Sequence, residues 1–474
     1  MAELLKPDIC VIGAGSGGLS VAAAAAAFGV PVVLIEKGKM GGDCLNTGCV
    51  PSKALIAAGK HAENARRGAA FGVTAQSVAV DFNRVRDHVH GVIGAIAPND
   101  SRERFNALGV RVIDGEAQFT DPETVAVENF VIKARRFVIA SGSSPAIPPI
   151  GGLDKISYLT NETVFDLAVC PTHLIVIGGG PIGLELAQAF RRLGADVTVL
   201  EAVQPLAKED PECAAIVLDA LIREGITLRS GANIASIKQA KKKITVGIKG
   251  ADGRGETFEA SHVLVAAGRR PNVEGLGLDK AGIQHGPRGI VVNKRLRTSN
   301  KRVYAIGDIA GGAQFTHLAN YHAGLVIRNA LFRLPAAVKD DLVPRVTFTD
   351  PELAHVGLTE AQAKERYRIR VLRWPFHDND RAQTERETDG HIKVVTTKRG
   401  RILGATIVGA HAGELIASWS LAVSQGLNIR AFAGSIVPYP TRAEAGKRAA
   451  IDFFAPTLTS PMLRRIIALL RLLG

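Results

Sequence analysis

The stretch Ile9-Cys10-Val11-Ile12-Gly13-Ala14-Gly15-Ser16-Gly17-Gly18 has a counterpart far along the chain, Leu174-Ile175-Val176-Ile177-Gly178-Gly179-Gly180-Pro181-Ile182-Gly183. Each is an apolar run of strand type that ends in G-x-G-x-x-G. The first continues through an alanine-rich helix to Val32-Val33-Leu34-Ile35-Glu36, the second through a helix to Leu193 and then Asp196-Val197-Thr198-Val199-Leu200-Glu201. In both copies the acid stands 23 residues beyond the first glycine. Strand, glycine turn, helix, strand and acid make up the whole dinucleotide-binding unit, which an ordinary tight turn does not reproduce twice. The first glycine permits the turn, the second lets backbone approach a pyrophosphate, and the third lets the helix pack on its strand. The pyrophosphate would sit on the helix amino terminus, where free N–H groups and the helix dipole favour anions.

Further strand-then-glycine signals trail each copy. Arg136–Ala140 stops at Ser141-Gly142, His262–Ala267 stops at Gly268, and Val303–Ile306 stops at Gly307-Asp308. From Pro344 the texture changes to β-branched alternation with few glycine turns, which predicts strands near 345–349, 391–396 and 402–408 and a helix from Gly413. The fold class that follows is α/β, two Rossmann-like dinucleotide-binding domains plus a C-terminal α+β domain. The expected boundaries are 1–150 with 273–343 for the first domain, 151–272 for the second and 344–455 for the third. A basic amphipathic tail fills 456–474.

Composition narrows the classes. At 474 residues, with 46% apolar content and 50 glycines, the chain is neither disordered nor collagen-like nor a coiled coil. Five cysteines, Cys10, Cys44, Cys49, Cys170 and Cys213, are too few for a secreted disulfide scaffold of this length. A strand already begins at Ile9, no secretory signal precedes it, and no apolar run is long enough to span a bilayer; a cytoplasmic, reducing setting is expected. The 58 Lys and Arg exceed the 45 Asp and Glu by 13, but they are scattered. The one dense run, Lys238 to Lys243, precedes an alternating strand and reads as a solvated hairpin edge. Aromatics at 5% leave few stacking platforms, so nucleic acid is not expected as a partner. The tail from Pro461 is basic, apolar around most of its circumference and too short to cross a membrane. Packing on protein is its expected role, with weak membrane-surface contact as the alternative.

Two dinucleotide sites imply electrons passing between a nicotinamide and a flavin. Glu36 and Glu201 are typed to accept from ribose hydroxyls. A 2′-phosphate would meet a carboxylate at Glu201, so NADH is expected over NADPH, with Lys208 as the nearby cation able to reverse that. Asp308, at a strand's carboxyl end, is typed to receive a ribityl hydroxyl. His317 opens a helix after Thr316, whose amino terminus would raise the potential of a flavin facing it.

The sharpest feature is Gly41-Gly42-Asp43-Cys44-Leu45-Asn46-Thr47-Gly48-Cys49-Val50-Pro51-Ser52-Lys53. Positions five apart on a regular helix lie roughly 8.6 Å apart between Cα atoms, whereas a disulfide needs less than about 7 Å. If the two sulfurs join, the backbone between them is not regular helix, and Gly48 permits the distortion. Lys53, four residues beyond Cys49, adds positive charge that favours a thiolate. The pair can shuttle between dithiol and disulfide. A structural zinc site has no second Cys/His pair to complete it, so no structural metal is expected. A soft metal ion would meet the pair Cys44 and Cys49 only as a transient substrate.

With both glycine fingerprints, the string GGDCLNTGCVPSK resembles the class I pyridine nucleotide–disulfide oxidoreductases, which include dihydrolipoyl dehydrogenase, glutathione reductase and mercuric reductase. The resemblance covers nearly the whole chain. It implies a homodimeric flavoenzyme with FAD and a nicotinamide dinucleotide and an active site shared across the interface. Cys49 would be the thiol against the flavin and Cys44 the interchange thiol. Lys53 would pair with Glu185 beside the flavin, Gly115 and Ala117 would pass along the adenine, and the C-terminal domain would form the interface. In the disulfide-reducing members that domain supplies a His-Pro…Glu motif whose histidine is the base. Here Val437-Pro438-Tyr439-Pro440 puts Tyr439 in the histidine's place, with Glu444 at the later position. A tyrosine's pKa lies about 3.5 units above a histidine's, so it accepts protons poorly at neutral pH. The tyrosine resembles mercuric reductase, yet no cysteine follows Cys213, whereas those enzymes typically end in a vicinal cysteine pair. The expected acceptor is a small molecule or metal ion, mercuric-type reduction leading and dihydrolipoyl dehydrogenase activity second. A non-catalytic binding or surface-attached protein is the alternative of another class.

Overall fold

The computed structural model describes residues 2–241, 243–249, 253, 255–458 and 460–472. Lys242 of the lysine run, and Thr459, Leu473 and Gly474 of the tail, lie outside the described residues. The chain divides into two compact units, Met1–Ala202 with Thr227–Val338, and Val203–Ile226 with Lys339–Gly474.

The first unit holds two parallel sheets. One runs Val303–Ala305, Arg136–Ile139, Ile9–Ile12, Val32–Glu36, Val110–Asp114. The other runs Thr227–Ser230, Asp196–Glu201, His173–Ile177, His262–Val265. Their central strands are covered on both faces, which explains why Ile9–Ile12 is apolar at every position and wholly buried. The helix Ser16–Ala27 carries six consecutive alanines and a pair of glycines, side chains small enough to admit the close-packed helix Thr316–Ala330. Leu34, Val138, Tyr304 and Val326 fill the core between sheet and helices. The lysine run sits as expected at a hairpin, Asn233–Ala240 against Lys243–Lys249.

The second unit is an antiparallel sheet in the order Arg345–Thr347, Glu352–Gly357, Ile402–Gly409, His391–Thr397, Ile369–Pro375. A helix, Ala412–Gln425, packs on it, and Trp419 stacks on Phe432 with ring centroids 3.8 Å apart. The fold class is that expected. Two strands escaped the pattern: Ile369–Pro375 carries Arg370 and Arg373 among its apolar residues, as an edge strand does, and Glu352–Gly357 follows directly on Pro351 and carries Glu352 and His355. Among the described residues the tail helix Pro461–Leu470 buries none. Among the described residues no helix is long and apolar enough to cross a membrane.

Candidate active site

The two glycine turns are built alike. Gly13 and Gly178 have φ of +102° and +116°, the left-handed region open to glycine. A Cβ on Gly18 would strike the Gly13 carbonyl oxygen, and one on Gly183 would strike that of Gly178. A Cβ on Gly15 or Gly180 would meet nothing within 4 Å. That clear space stands in front of the helices Ser16–Ala27 and Pro181–Arg192, whose N-caps are Gly15 and Gly180 and which have no side-chain cap. Free N–H groups facing open space fit a pyrophosphate at each turn. The acids do a second job: Glu36 Oε2 accepts from Ala14 N at 2.6 Å and Glu201 Oε2 from Gly179 N at 2.7 Å. Glu36 Oε1 also accepts from Gly38 N at 2.8 Å. Each carboxylate therefore holds its own glycine loop in shape.

Cys44 lies on the short helix Gly42–Asn46, and Cys49 is the first residue of Cys49–Arg67. Between them the helix breaks: Thr47 has φ −143° and Gly48 φ −125°, ψ −111°. The two sulfurs are free thiols in hydrogen-bonding contact. The Cys44 thiol donates to the Cys49 sulfur, and with help from the Thr316 hydroxyl and Lys53 this pulls the Cys49 pKa down to about 6 against the cost of burial. The same bond, with burial and the neighbouring Cys49 charge, pushes the Cys44 pKa up. The hydrogen bond therefore favours negative charge on Cys49 and the proton on Cys44. Thr316 Oγ1 stands 3.4 Å from Cys49 Sγ, at the first residue of Thr316–Ala330. Lys53 Nζ lies 2.8 Å from Glu185 Oε2, across the packed helices Cys49–Arg67 and Pro181–Arg192. Glu185 is buried, so the ion pair is shielded on one side from water.

Asp308 sits on the turn Gly307–Ala310, with Ser143 Oγ donating to its Oδ2 at 2.5 Å. Burial raises its pKa, opposed by that hydrogen bond and by Arg269. Arg269 ties this acid to the cysteine loop. Its Nε donates to Ser143 Oγ at 2.7 Å, and its Nη2 lies 3.3 Å from Asp43 Oδ2. Asn161 Nδ2 completes the brace, donating to Asp43 Oδ1 at 3.0 Å and to the Thr47 carbonyl at 3.1 Å. None of Arg269, Asn161 or Ser143 carries a sequence motif; only folding brings them to Asp43 and Asp308. His322 was missed as well: it is buried and its Nδ1 accepts from Gly307 N at 3.2 Å. His317 is exposed and stacks on Phe315. Gly115 N donates to the Glu36 carbonyl at 2.9 Å, and Ala117 is buried nearby in the core. Ser141 Oγ donates to the Asn272 carbonyl at 3.0 Å, while Gly142 and Gly268 adopt positive φ with clear space at the Cβ position.

Tyr439 and Glu444 belong to the second unit. Tyr439 is 69% exposed, and its hydroxyl donates to Asp380 Oδ2 at 2.8 Å. That bond, with Asp380 and Glu444 charges close by, holds its pKa above the usual value. The phenol is a donor here and not a base. Glu444 opens the helix Glu444–Asp452, with Arg448 one turn on at 3.9 Å.

Residues 7–323 match the family model of the pyridine nucleotide-disulphide oxidoreductases, and residues 343–450 match that family's dimerisation domain. The chain is 38% identical over 452 residues to a mercuric reductase of Lysinibacillus sphaericus, covering 94% of this chain and 82% of the relative. It is 36% identical over 455 residues to a dihydrolipoyl dehydrogenase of Geobacillus stearothermophilus, covering 94% and 96%. Among solved structures, the Cu(II) complex of the HOCl-induced flavoprotein disulfide reductase RclA from Escherichia coli superposes with a TM-score of 0.83 at 28% identity, covering 93% of this chain and 98% of that one. Such membership implies FAD and a nicotinamide dinucleotide as cofactors, which the two open glycine turns fit. The chain is an oxidoreductase and belongs to the pyridine nucleotide-disulphide oxidoreductase family.

Proposed function

We propose that this chain takes electrons from a nicotinamide dinucleotide at Gly178–Gly183 and delivers them, by way of FAD at Gly13–Gly18 and the pair Cys49 and Cys44, to a soft metal ion. FAD, when bound, supplies the two-electron link between nicotinamide and sulfur. The observation that carries the reading is the geometry of the cysteine pair: two free thiols on either side of a broken helix, with the Thr316 hydroxyl 3.4 Å from Cys49 Sγ and Lys53 one turn beyond Cys49 on the same helix. Opening the disulfide takes up two electrons and one proton, leaving the proton on Cys44 and the charge on Cys49. Glu36, Asp308 and Ser143 would hold the flavin nucleotide, with the helix end at Thr316 facing its pyrimidine side. Gly180 and Glu201 would hold the nicotinamide nucleotide, and the Glu201 carboxylate favours NADH over NADPH.

Thiolates suit soft metals, and metal reduction needs no histidine base. Tyr439, a donor to Asp380, supports that acceptor class over a dithiol. Lipoamide-type turnover is the second reading, favoured by the similarity to a dihydrolipoyl dehydrogenase and by Glu444. The match to a dimerisation domain and the exposure of Ile436 (98%) and Leu421 (62%) in the second unit support a homodimer. We place it in the cytoplasm, where the thiols stay reducible. The test is a panel of Hg²⁺, Cu²⁺, lipoamide and quinones under NADH and NADPH, with Cys44→Ser and Cys49→Ser as controls. The reading expects metal-dependent NADH oxidation that both variants lose; lipoamide as the best acceptor, or full activity in either variant, would overturn it.

A further inference from the structure

Far from the cysteines, a pocket of about 240 Å³ opens in the first unit, and five arginines line it: Arg135, Arg136, Arg295, Arg297 and Arg333. It lies at the amino ends of Arg136–Ile139 and Val303–Ala305 and at the carboxyl end of the helix Thr316–Ala330. The Gly13–Gly18 turn and Asp308 follow the carboxyl ends of the same sheet, so the pocket occupies its opposite edge.

The charge in this pocket is not balanced. Among the described residues no acidic side chain lines it. Arg135 is spoken for: its guanidinium pairs with Asp8, Nη2 lying 2.7 Å from Oδ2, and reaches the Ala330 carbonyl at 3.3 Å. Among the described residues Arg136, Arg295, Arg297 and Arg333 have no carboxylate within ion-pair distance. Arg297 Nη2 donates to the Tyr304 hydroxyl at 3.0 Å and Arg136 Nη1 to the Arg135 carbonyl at 2.9 Å. The Nε atoms of Arg136 and Arg297 are buried and, among the described residues, have no hydrogen-bond partner. Burial, and then the charges of Arg135, Arg297 and Arg302, lower the Arg136 pKa, which records the mutual repulsion. The backbone beside the pocket is uncommon: Leu296, between two of the arginines, has φ +63° and Arg333 has φ +56°.

Buried donors without partners are rare in native proteins, and like charges gathered at one site repel. An anion in the pocket removes both penalties at once. We propose that this pocket binds a polyphosphate anion, gripped by the guanidinium groups of Arg136, Arg295, Arg297 and Arg333. Guanidinium forks match phosphate oxygens in pairs. Four uncompensated charges call for a ligand with several negative charges of its own, and the volume admits more than one phosphate group. This inference does not rest on the redox reading.

The test is calorimetric titration of the purified holoenzyme with sodium tripolyphosphate in about 0.15 M salt, where exposed charges are already screened. The inference expects saturable binding, one ligand per chain, and a higher Tm with ligand present. The exposed pair Arg295→Glu with Arg333→Glu should weaken binding at least about tenfold while leaving the flavin spectrum and NADH oxidation unchanged. Should that double variant fold poorly, Arg333→Gln alone still predicts a measurable loss. A second arm uses ATP with excess NAD⁺ covering the nicotinamide turn. Tighter binding than tripolyphosphate assigns the site to a nucleotide, and equal binding assigns it to the phosphates alone; both support it. No saturable binding, equal binding by the variants, or sulfate binding as tightly as tripolyphosphate would overturn it.

Discussion

The two glycine turns share a backbone plan and differ in what the chain attaches to them. Each has a left-handed first glycine, an open second one, a third pressed on the first one's carbonyl, and a carboxylate holding the loop. After Glu36 the chain goes into Gly42–Asn46 and Cys49–Arg67, setting Cys49 at a helix amino terminus. After Glu201 there is no cysteine until Cys213, which is fully buried with its pKa pushed up by burial, and so is inert. The lesson is that a binding plan can be repeated unchanged while reactivity is decided by the next few residues.

Matched substitutions in the two turns break the comparison most severely. Gly18→Ala forces a methyl against the Gly13 carbonyl, a backbone atom that cannot swing aside, at a cost of about 1–3 kcal/mol or more. It should give a colourless protein with little flavin. Gly183→Ala carries the same clash but should stay yellow and lose nicotinamide affinity instead. Flavin content and the KM for NADH distinguish the two, and identical phenotypes would mean the turns do not divide the cofactors as proposed.

Next in size is Tyr439→His, which restores a proton acceptor. General bases contribute about 10²–10⁴ in rate, so dihydrolipoamide oxidation should rise toward the lower figure. Unchanged turnover would separate Tyr439 from acceptor choice. Glu201→Arg should shift the NADPH to NADH preference in kcat/KM by about tenfold, the effect of one charge-assisted contact. Both KM values should also rise, because Gly179 N loses its acceptor. The smallest effect is on pH. As pH falls through about 6 the Cys49 thiolate takes up a proton, so its ultraviolet thiolate absorbance, followed on reduced protein, should fall over that range. Cys44→Ala removes the donor and should move the transition up toward the ordinary thiol value of about 8.5.

The sequence was readable where function is local. Glycines at fixed spacing, an acid at the next strand's end and two cysteines five apart each announce themselves within one short stretch. The break at Thr47 and Gly48 could be anticipated too, because a regular helix cannot bring positions five apart within bonding range. What stayed hidden depends on folding. Arg269 reaches Asp43, Ser143 and Asp308 across long stretches of chain, and neither its neighbours nor its spacing mark it. His322 drew no notice beside His317, since only burial tells the two apart. The arginine pocket likewise draws on three separate segments, each unremarkable in a chain with an excess of basic residues.

The central claim is that nicotinamide-derived electrons open a bond between Cys44 and Cys49. It is tested most directly by labelling the air-oxidised holoenzyme with N-ethylmaleimide before and after anaerobic addition of NADH, then locating the labels by peptide mass spectrometry. The account predicts two labels gained on reduction, both on the peptide carrying Cys44 and Cys49. No gain, or a gain at Cys170 or elsewhere, would contradict it.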